Sequence, residues 1–169
     1  MTVRTNSVSP LPNRILIVRG GAIGDFILTL PVFQELKASF SQATLACLSP
    51  VGRGEIVQMT GMVDEIRNLD DRCWASFFAE NGQHDEAVCE WLSSFNCIVS
   101  FLHDPKGIWE TNVVRVSGAL FLKGCHRPVD DVGEPASVAL LRALEPLGIF
   151  NVDPAPRICL SVPRLNSET

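Results

Sequence analysis

The sequence predicts an α/β domain whose parallel, Rossmann-like sheet has helices on both faces. The clearest indication is the segment from residue 14 to residue 40. Arg14 leads into the apolar run Ile15 to Val18, three of whose four residues are β-branched, as in a strand buried on both faces. A glycine turn follows, and apolar residues then recur every three or four positions, as in a helix that buries one face. Strand, glycine turn and helix in this order open an α/β nucleotide-type domain.

The remaining chain continues this alternation. We expect strands at residues 43–48, 63–69, 95–102 and 119–123, and an edge strand in the proline-containing tail 151–163. We expect helices at residues 51–60, 73–78, 85–92, 108–116 and 134–147, and a kink at Pro31 in the first helix. Residues 1–13 are polar and predict a flexible arm, residues 14–162 form the domain, and residues 163–169 have the composition of an interdomain linker.

Composition limits the class of function. A chain of 169 residues suits one domain, and 46% hydrophobic with 20% charged residues indicates a globular protein. The net charge of -5 argues against nucleic acid as a partner. The six cysteines show neither a CxxC motif nor a Cys/His cluster, so we expect no metal site and reduced, structural thiols in the cytoplasm. The three tryptophans are expected in the core or at an interface.

The glycine turn is the candidate site, and two common interpretations of it fail. A dinucleotide site requires GxGxxG and an acidic residue at the end of the second strand. Here Ala22 occupies the position of the second glycine, and the second strand ends in Cys47-Leu48-Ser49. A phosphate-binding P-loop requires a GK[ST] ending, which the turn lacks.

The turn and the helix after it, Arg19-Gly-Gly-Ala-Ile-Gly-Asp-Phe-Ile-Leu-Thr-Leu-Pro31, resemble the N-terminal signature of glycosyltransferase family 9, the ADP-heptose:lipopolysaccharide heptosyltransferases and their relatives. The resemblance extends to Val63-Asp64-Glu65-Ile66 and to the closing Leu147-Gly148-Ile149. It implies the GT-B fold, in which two Rossmann-like domains face each other across a cleft. The chain would then be the N-terminal, acceptor-side half, while the donor binds the other half.

The resemblance also implies roles for particular residues. Asp25 matches the proposed general base of an inverting sugar transfer. Gly20, Gly21, Ala22, Ile23 and Gly24 would approach the substrate. His103 and Asp104, which follow a predicted strand, are candidates for the acceptor side. Structural alternatives stay open, since Asp25 would also complement the helix dipole, the glycines would also form the turn, and a His-Asp pair in a loop is commonly solvated.

The partners implied are a saccharide acceptor of the lipopolysaccharide type and a nucleotide-sugar donor, an ADP-sugar, that binds only together with a second domain. No cofactor is implied, and the location would be cytoplasmic and peripheral to the inner membrane. Between Asp70 and Glu90 six acidic residues accompany one arginine, which favours a less charged saccharide over a phosphorylated acceptor. The chain alone is expected to be inactive. A stand-alone, non-catalytic binding or assembly module is the alternative. The mean hydropathy of +0.19 predicts self-association or a partner at the rim of the turn 20–25 and along the tail 154–165.

Overall fold

The computed structural model describes residues 11–128 and 133–158, which form a five-stranded parallel sheet in the order β3-β2-β1-β4-β5. The strands are β1 (Arg14–Val18), β2 (Thr44–Ser49), β3 (Glu65–Asn68), β4 (Cys97–Ser100) and β5 (Leu120–Lys123). This arrangement confirms the predicted α/β, Rossmann-like fold class. Residues 151–158, the described part of the predicted tail strand, form no strand, so that prediction was wrong there. The end of the tail, the proposed linker and most of the N-terminal arm lie outside the described residues.

The strand order has one topological switch point. From β1 the chain winds outward through β2 to β3, and it then returns to β4 and β5 on the other side of β1. Both neighbours of β1 run parallel to it, so Val18 lies beside Leu48 of β2 and Ser100 of β4. The carboxyl ends of β1 and β4 therefore meet at one edge, where the winding reverses and where open α/β sheets bind ligands.

Helices cover both faces of the sheet, as the sequence predicts. One layer holds α1 (Ile23–Leu28), α2 (Leu30–Ser39), α3 (Gly54–Met59) and α6 (Ala136–Leu141). The other holds a 3₁₀ helix (Arg72–Phe78), α4 (Glu86–Ser93) and α5 (Ile108–Ser117). Successive residues of β1 alternate between the layers: Ile15 and Ile17 pack on the first, and Leu16 and Val18 pack on the second. All four are fully buried, which explains the unbroken apolar run of this strand.

Two predicted helices are each broken in the structure. The helix expected from Ile23 to Phe40 is divided at Thr29, because Pro31 has no N–H and its ring excludes a helical bond to residue 27. The helix expected at 134–147 is α6 followed by a 3₁₀ helix (Arg142–Leu147), which contains Pro146. The kink predicted at Pro31 is thus a break between α1 and α2, whereas the prediction of one continuous helix at 134–147 was wrong.

The tryptophans and the most buried cysteines belong to the core. The Trp74 ring lies 5.7 Å from Trp91 and 6.3 Å from Trp109, and all three side chains are buried, which confirms their predicted core role. Burial raises the pKa of Cys47 to about 12 and that of Cys97 to about 11, so both remain neutral thiols. In the part of the chain that the structure describes, no helix combines the length and the apolar character needed to cross a membrane.

Candidate functional site

A cleft of about 320 Å³ opens at the carboxyl ends of β1, β4 and β5. Its walls come from the segments that follow these three strands, and it lies at the topological switch point. The lining residues are Arg19, Gly20, Gly21, Asp25, Phe101, Leu102, His103, His126 and Arg127. Four of these residues, Gly20, Gly21, Asp25 and His103, were candidates from the sequence, and the structure adds the other five.

The glycine turn holds Asp25 at the edge of this cleft. The turn bends at Gly21, whose φ is +86°, and α1 begins two residues later. The Asp25 carboxylate is half-buried, and its Oδ2 accepts a hydrogen bond of 3.2 Å from the backbone N–H of Ala22. The Asp25 backbone carbonyl accepts from the hydroxyl of Thr29 at 2.9 Å. Among the described residues Oδ1 has no hydrogen-bond partner, so one carboxylate oxygen is anchored and the other is available to a ligand.

The three glycines of the turn differ in the space that a Cβ atom would have at each position. A Cβ on Gly20 would lie 3.0 Å from Leu102, and a Cβ on Gly21 would lie 3.0 Å from Oδ2 of Asp25. A Cβ on Gly24 would meet nothing within 4 Å. Packing thus accounts for the first two glycines and leaves the third unexplained. Ala22 and Ile23 are exposed beside the cleft and do not line it.

Arg19 extends from the end of β1 and is 1% exposed. Its guanidinium donates to the backbone carbonyls of Phe101, His126 and Asp25 at 3.3, 2.9 and 3.2 Å. No carboxylate oxygen lies within the 4.0 Å limit of an ion pair with it in residues 11–128 and 133–158. Burial lowers the Arg19 pKa, and the negative charge of Asp25 partly opposes this shift.

Two histidines stand over the cleft. The rings of His103 and His126 are 4.4 Å apart between centroids, and both side chains are exposed. Desolvation lowers the pKa of His126, and the positive charges of His103, Arg19 and Arg127 lower it further. Sequence reasoning missed His126 and Arg127. The available signal was their position just beyond a predicted strand, but only pairing of that strand with β4 brings them to His103.

The predicted pair His103 and Asp104 is divided. The Oδ2 atom of Asp104 accepts a hydrogen bond of 3.0 Å from the backbone N–H of Glu110, in the first turn of α5. The Asp104 carboxylate is thus engaged by a helix terminus, which is a common position for acidic residues, and it is not part of the cleft lining.

The acidic stretch that shaped the sequence argument on charge lies elsewhere. Residues 70–90 form the 3₁₀ helix and the first part of α4, on one face of the sheet, and none of them lines the cleft. Among the residues that the structure describes, the lining contains two arginines and two histidines and one carboxylate, that of Asp25. These described lining residues are therefore mainly basic, whereas the chain as a whole has a net charge of -5.

Comparison with known proteins identifies the fold. No protein-family model matches the sequence, and no curated protein matches it significantly. Among solved structures, the chain is similar to the glycosyl transferase family 9 protein from Veillonella parvula DSM 2008, with a TM-score of 0.60 and 14% identity over 85% of this chain and 43% of that chain. The chain has the fold found in glycosyltransferase family 9 structures.

Two structures of Escherichia coli heptosyltransferase WaaC agree with this result. The complex with ADP gives a TM-score of 0.53 and 17% identity over 85% of this chain and 51% of that chain. The complex with ADP-2-deoxy-2-fluoro heptose gives a TM-score of 0.50 and 16% identity over 84% of this chain and 52% of that chain. The chain thus spans about half the length of the structures it matches. The resemblance stated from the sequence is confirmed at the level of the fold.

Proposed function

We propose that the chain is the acceptor-side half of an inverting glycosyltransferase similar to those of family 9, with Asp25 as its general base. One observation carries this proposal: the Asp25 carboxylate stands at the cleft of the topological switch point, in a fold that matches family 9 structures. The anchored Oδ2 fixes the direction of the side chain, and the unpartnered Oδ1 has a lone pair for an acceptor proton.

In the proposed reaction an acceptor hydroxyl lies in the cleft beside Asp25. Its oxygen attacks the anomeric carbon of the donor sugar from the side opposite the nucleotide, and the new C–O bond inverts that carbon. The bond between the anomeric carbon and the diphosphate oxygen breaks, and the nucleoside diphosphate leaves with the electron pair. Asp25 takes the hydroxyl proton.

The cleft supports a saccharide acceptor. Its volume of about 320 Å³ is at the lower end of the range for small-molecule sites, which suits one sugar unit entering from solvent.

We further propose a lipopolysaccharide-type acceptor, a heptose-like sugar from an ADP-sugar, and a second domain that supplies the donor site. The ADP ligands of the two WaaC structures and the matched share of those chains support this proposal. We propose a cytoplasmic location, peripheral to the inner membrane, and the free Cys47, Cys73, Cys89, Cys97 and Cys125 fit the reducing environment of the cytoplasm.

Binding experiments on the isolated chain test the division of roles between the two halves. Titration with a methyl heptoside should shift the backbone amide signals of Gly20, Gly21 and His103 in NMR spectra. Calorimetric titration with ADP-heptose should give no micromolar binding, since the proposed donor site lies in the second domain. Micromolar binding of ADP-heptose by this chain would contradict the proposal.

Catalysis is tested with the second half supplied. Asp25→Asn should lower kcat by about 10²-fold or more, as expected for the loss of a general base. The free energy of unfolding should fall by only about 0.3–1 kcal/mol, the usual contribution of a first-turn carboxylate. Full turnover by the variant would make Asp25 a helix-capping residue. Saccharide binding without turnover in the assembled protein would instead favour the non-catalytic binding module.

A further inference from the structure

A single side chain connects the three walls of the cleft. The Nη1 atom of Arg19 donates to the carbonyls of Phe101 and His126, and Nη2 donates to the carbonyl of Asp25. The three acceptors follow β4, β5 and β1, respectively. Because they are backbone atoms, these bonds constrain the course of the chain at each strand end and not merely one side chain.

Retention of a charge at this buried position needs a reason. Arg19 has no ion-pair partner among residues 11–128 and 133–158, and hydrogen bonds to carbonyls only partly replace the hydration that a buried guanidinium loses. Its Nε has no hydrogen-bond partner in the residues described. The ring of Phe101, with its centroid 5.8 Å from Cζ, adds a weak cation–π contact. An apolar side chain of similar size would fill the space without this cost, so stability alone does not account for arginine here.

We propose that Arg19 is a positioning residue: its bridge between the carbonyls of Asp25, Phe101 and His126 holds the His126 imidazole over the cleft, across from Asp25, as a ligand-contacting group. The identity of that ligand rests on the proposed function, whereas the bridge does not. The segment carrying His126 is also held by close packing, since Gly124 lies directly against the ring of Phe101.

The bridge depends on the shape of the guanidinium as well as on its charge. A planar fork presents five N–H groups in fixed directions, whereas a lysine ammonium is a compact point charge on a flexible stem. In Arg19→Lys the positive charge therefore stays, but the three carbonyls are no longer held together. In Arg19→Met both the charge and the bridge are lost. The two variants separate positioning from simple electrostatics.

The titration of His126 reports its position. Among the described residues, the charged and titratable groups around it are His103, Arg127, Arg19 and Cys125, and the described carboxylate of the cleft is Asp25. Its pKa is lowered by desolvation and by three of these positive neighbours. If the segment moves outward, the imidazole gains water and leaves His103, and both changes raise the pKa.

The experiment follows the imidazole signals of the isolated chain by NMR as a function of pH. The pKa of His126 should rise in Arg19→Met and also in Arg19→Lys. A rise in the methionine variant alone would overturn positioning in favour of charge, and no change in either folded variant would overturn the proposal altogether. His84 is the internal control, because it contacts Ser76 and Arg115 on the other sheet face. The matched variant Arg115→Lys should change the pKa of His84 and leave the pKa of His126 unchanged.

A measurement on the unaltered chain covers the case in which the variants do not fold. Three hydrogen bonds should slow rotation of the Arg19 guanidinium, so that its Nη protons give separate NMR signals. A single averaged signal would overturn the bridge. Neither experiment needs a sugar or a second domain, so a failure of the glycosyltransferase proposal would be recognised separately, by the binding and turnover assays.

Discussion

Alanine at Gly21 and alanine at Gly24 should have opposite effects on stability, although the two residues are three apart in one turn. Gly21 has a φ of +86°, where an L-residue costs roughly 1–2 kcal/mol. Its new Cβ would also lie 3.0 Å from Oδ2 of Asp25, so the carboxylate would have to move. That movement weakens the hydrogen bond from the N–H of Ala22, which contributes about 0.5–1.5 kcal/mol.

Gly24 lies within α1, where a Cβ would meet nothing within 4 Å. Alanine is favoured over glycine in a helix interior by about 0.8–1.0 kcal/mol. Gly24 is the second residue of α1, so Gly24→Ala should gain only part of this free energy. The two variants should therefore differ by about 2–3 kcal/mol in the free energy of unfolding. For a chain of this size the difference corresponds to roughly 4–12 °C in Tm.

Urea and thermal unfolding, followed by tryptophan fluorescence and circular dichroism, measure this difference. Equal stabilities of the two variants would refute the reasoning, since the backbone angle and the contact distance would then be without effect. Saccharide binding adds a second readout. If the open space above Gly24 receives the acceptor, Gly24→Ala should fold normally but weaken binding about tenfold or more, by steric exclusion. Unchanged binding would remove Gly24 from the site.

Two further predictions concern packing and pH. Gly124→Ala would place a Cβ 2.2 Å from the ring of Phe101, so urea unfolding should show a loss of roughly 1–3 kcal/mol, and wild-type stability would contradict this contact. The pKa of His84 is lowered in the folded state by desolvation and by the charge of Arg115. The unfolded chain therefore binds the proton more readily than the folded chain, and the free energy of unfolding decreases as the pH is lowered below the ordinary value of 6.5. His84→Gln should lose less stability than the wild type when the pH is lowered below 6.5, because glutamine does not titrate. A pH profile of unfolding identical to that of the wild type would contradict this prediction.

Most of the fold could be predicted from local patterns in the sequence. The apolar run at Ile15 to Val18 has the composition of a strand covered on both sides, and the structure buries it completely. The position of Asp25 after a glycine turn also follows from sequence, because the strand end, the turn residues and the helix start are all local signals. The break near Pro31 is also a local signal, since the proline itself predicts it, whereas the periodic apolar pattern continues across Pro146 and conceals the second break.

The composition of the cleft depended on tertiary structure. His126 lies 23 residues after His103 in the sequence, and their rings meet only because β5 pairs with β4. The same order of strands sets the acidic residues 70–90 away from the cleft and gives Arg19 three carbonyls from three segments. Asp104, adjacent to His103 in sequence, turns instead to the N-terminus of α5. Local sequence accounts for most of the strands and helices, because periodicity, caps and turns act over a few residues. Which strand ends share an edge depends on the pairing of distant strands, and this pairing brings Arg19, His103 and His126 to one cleft.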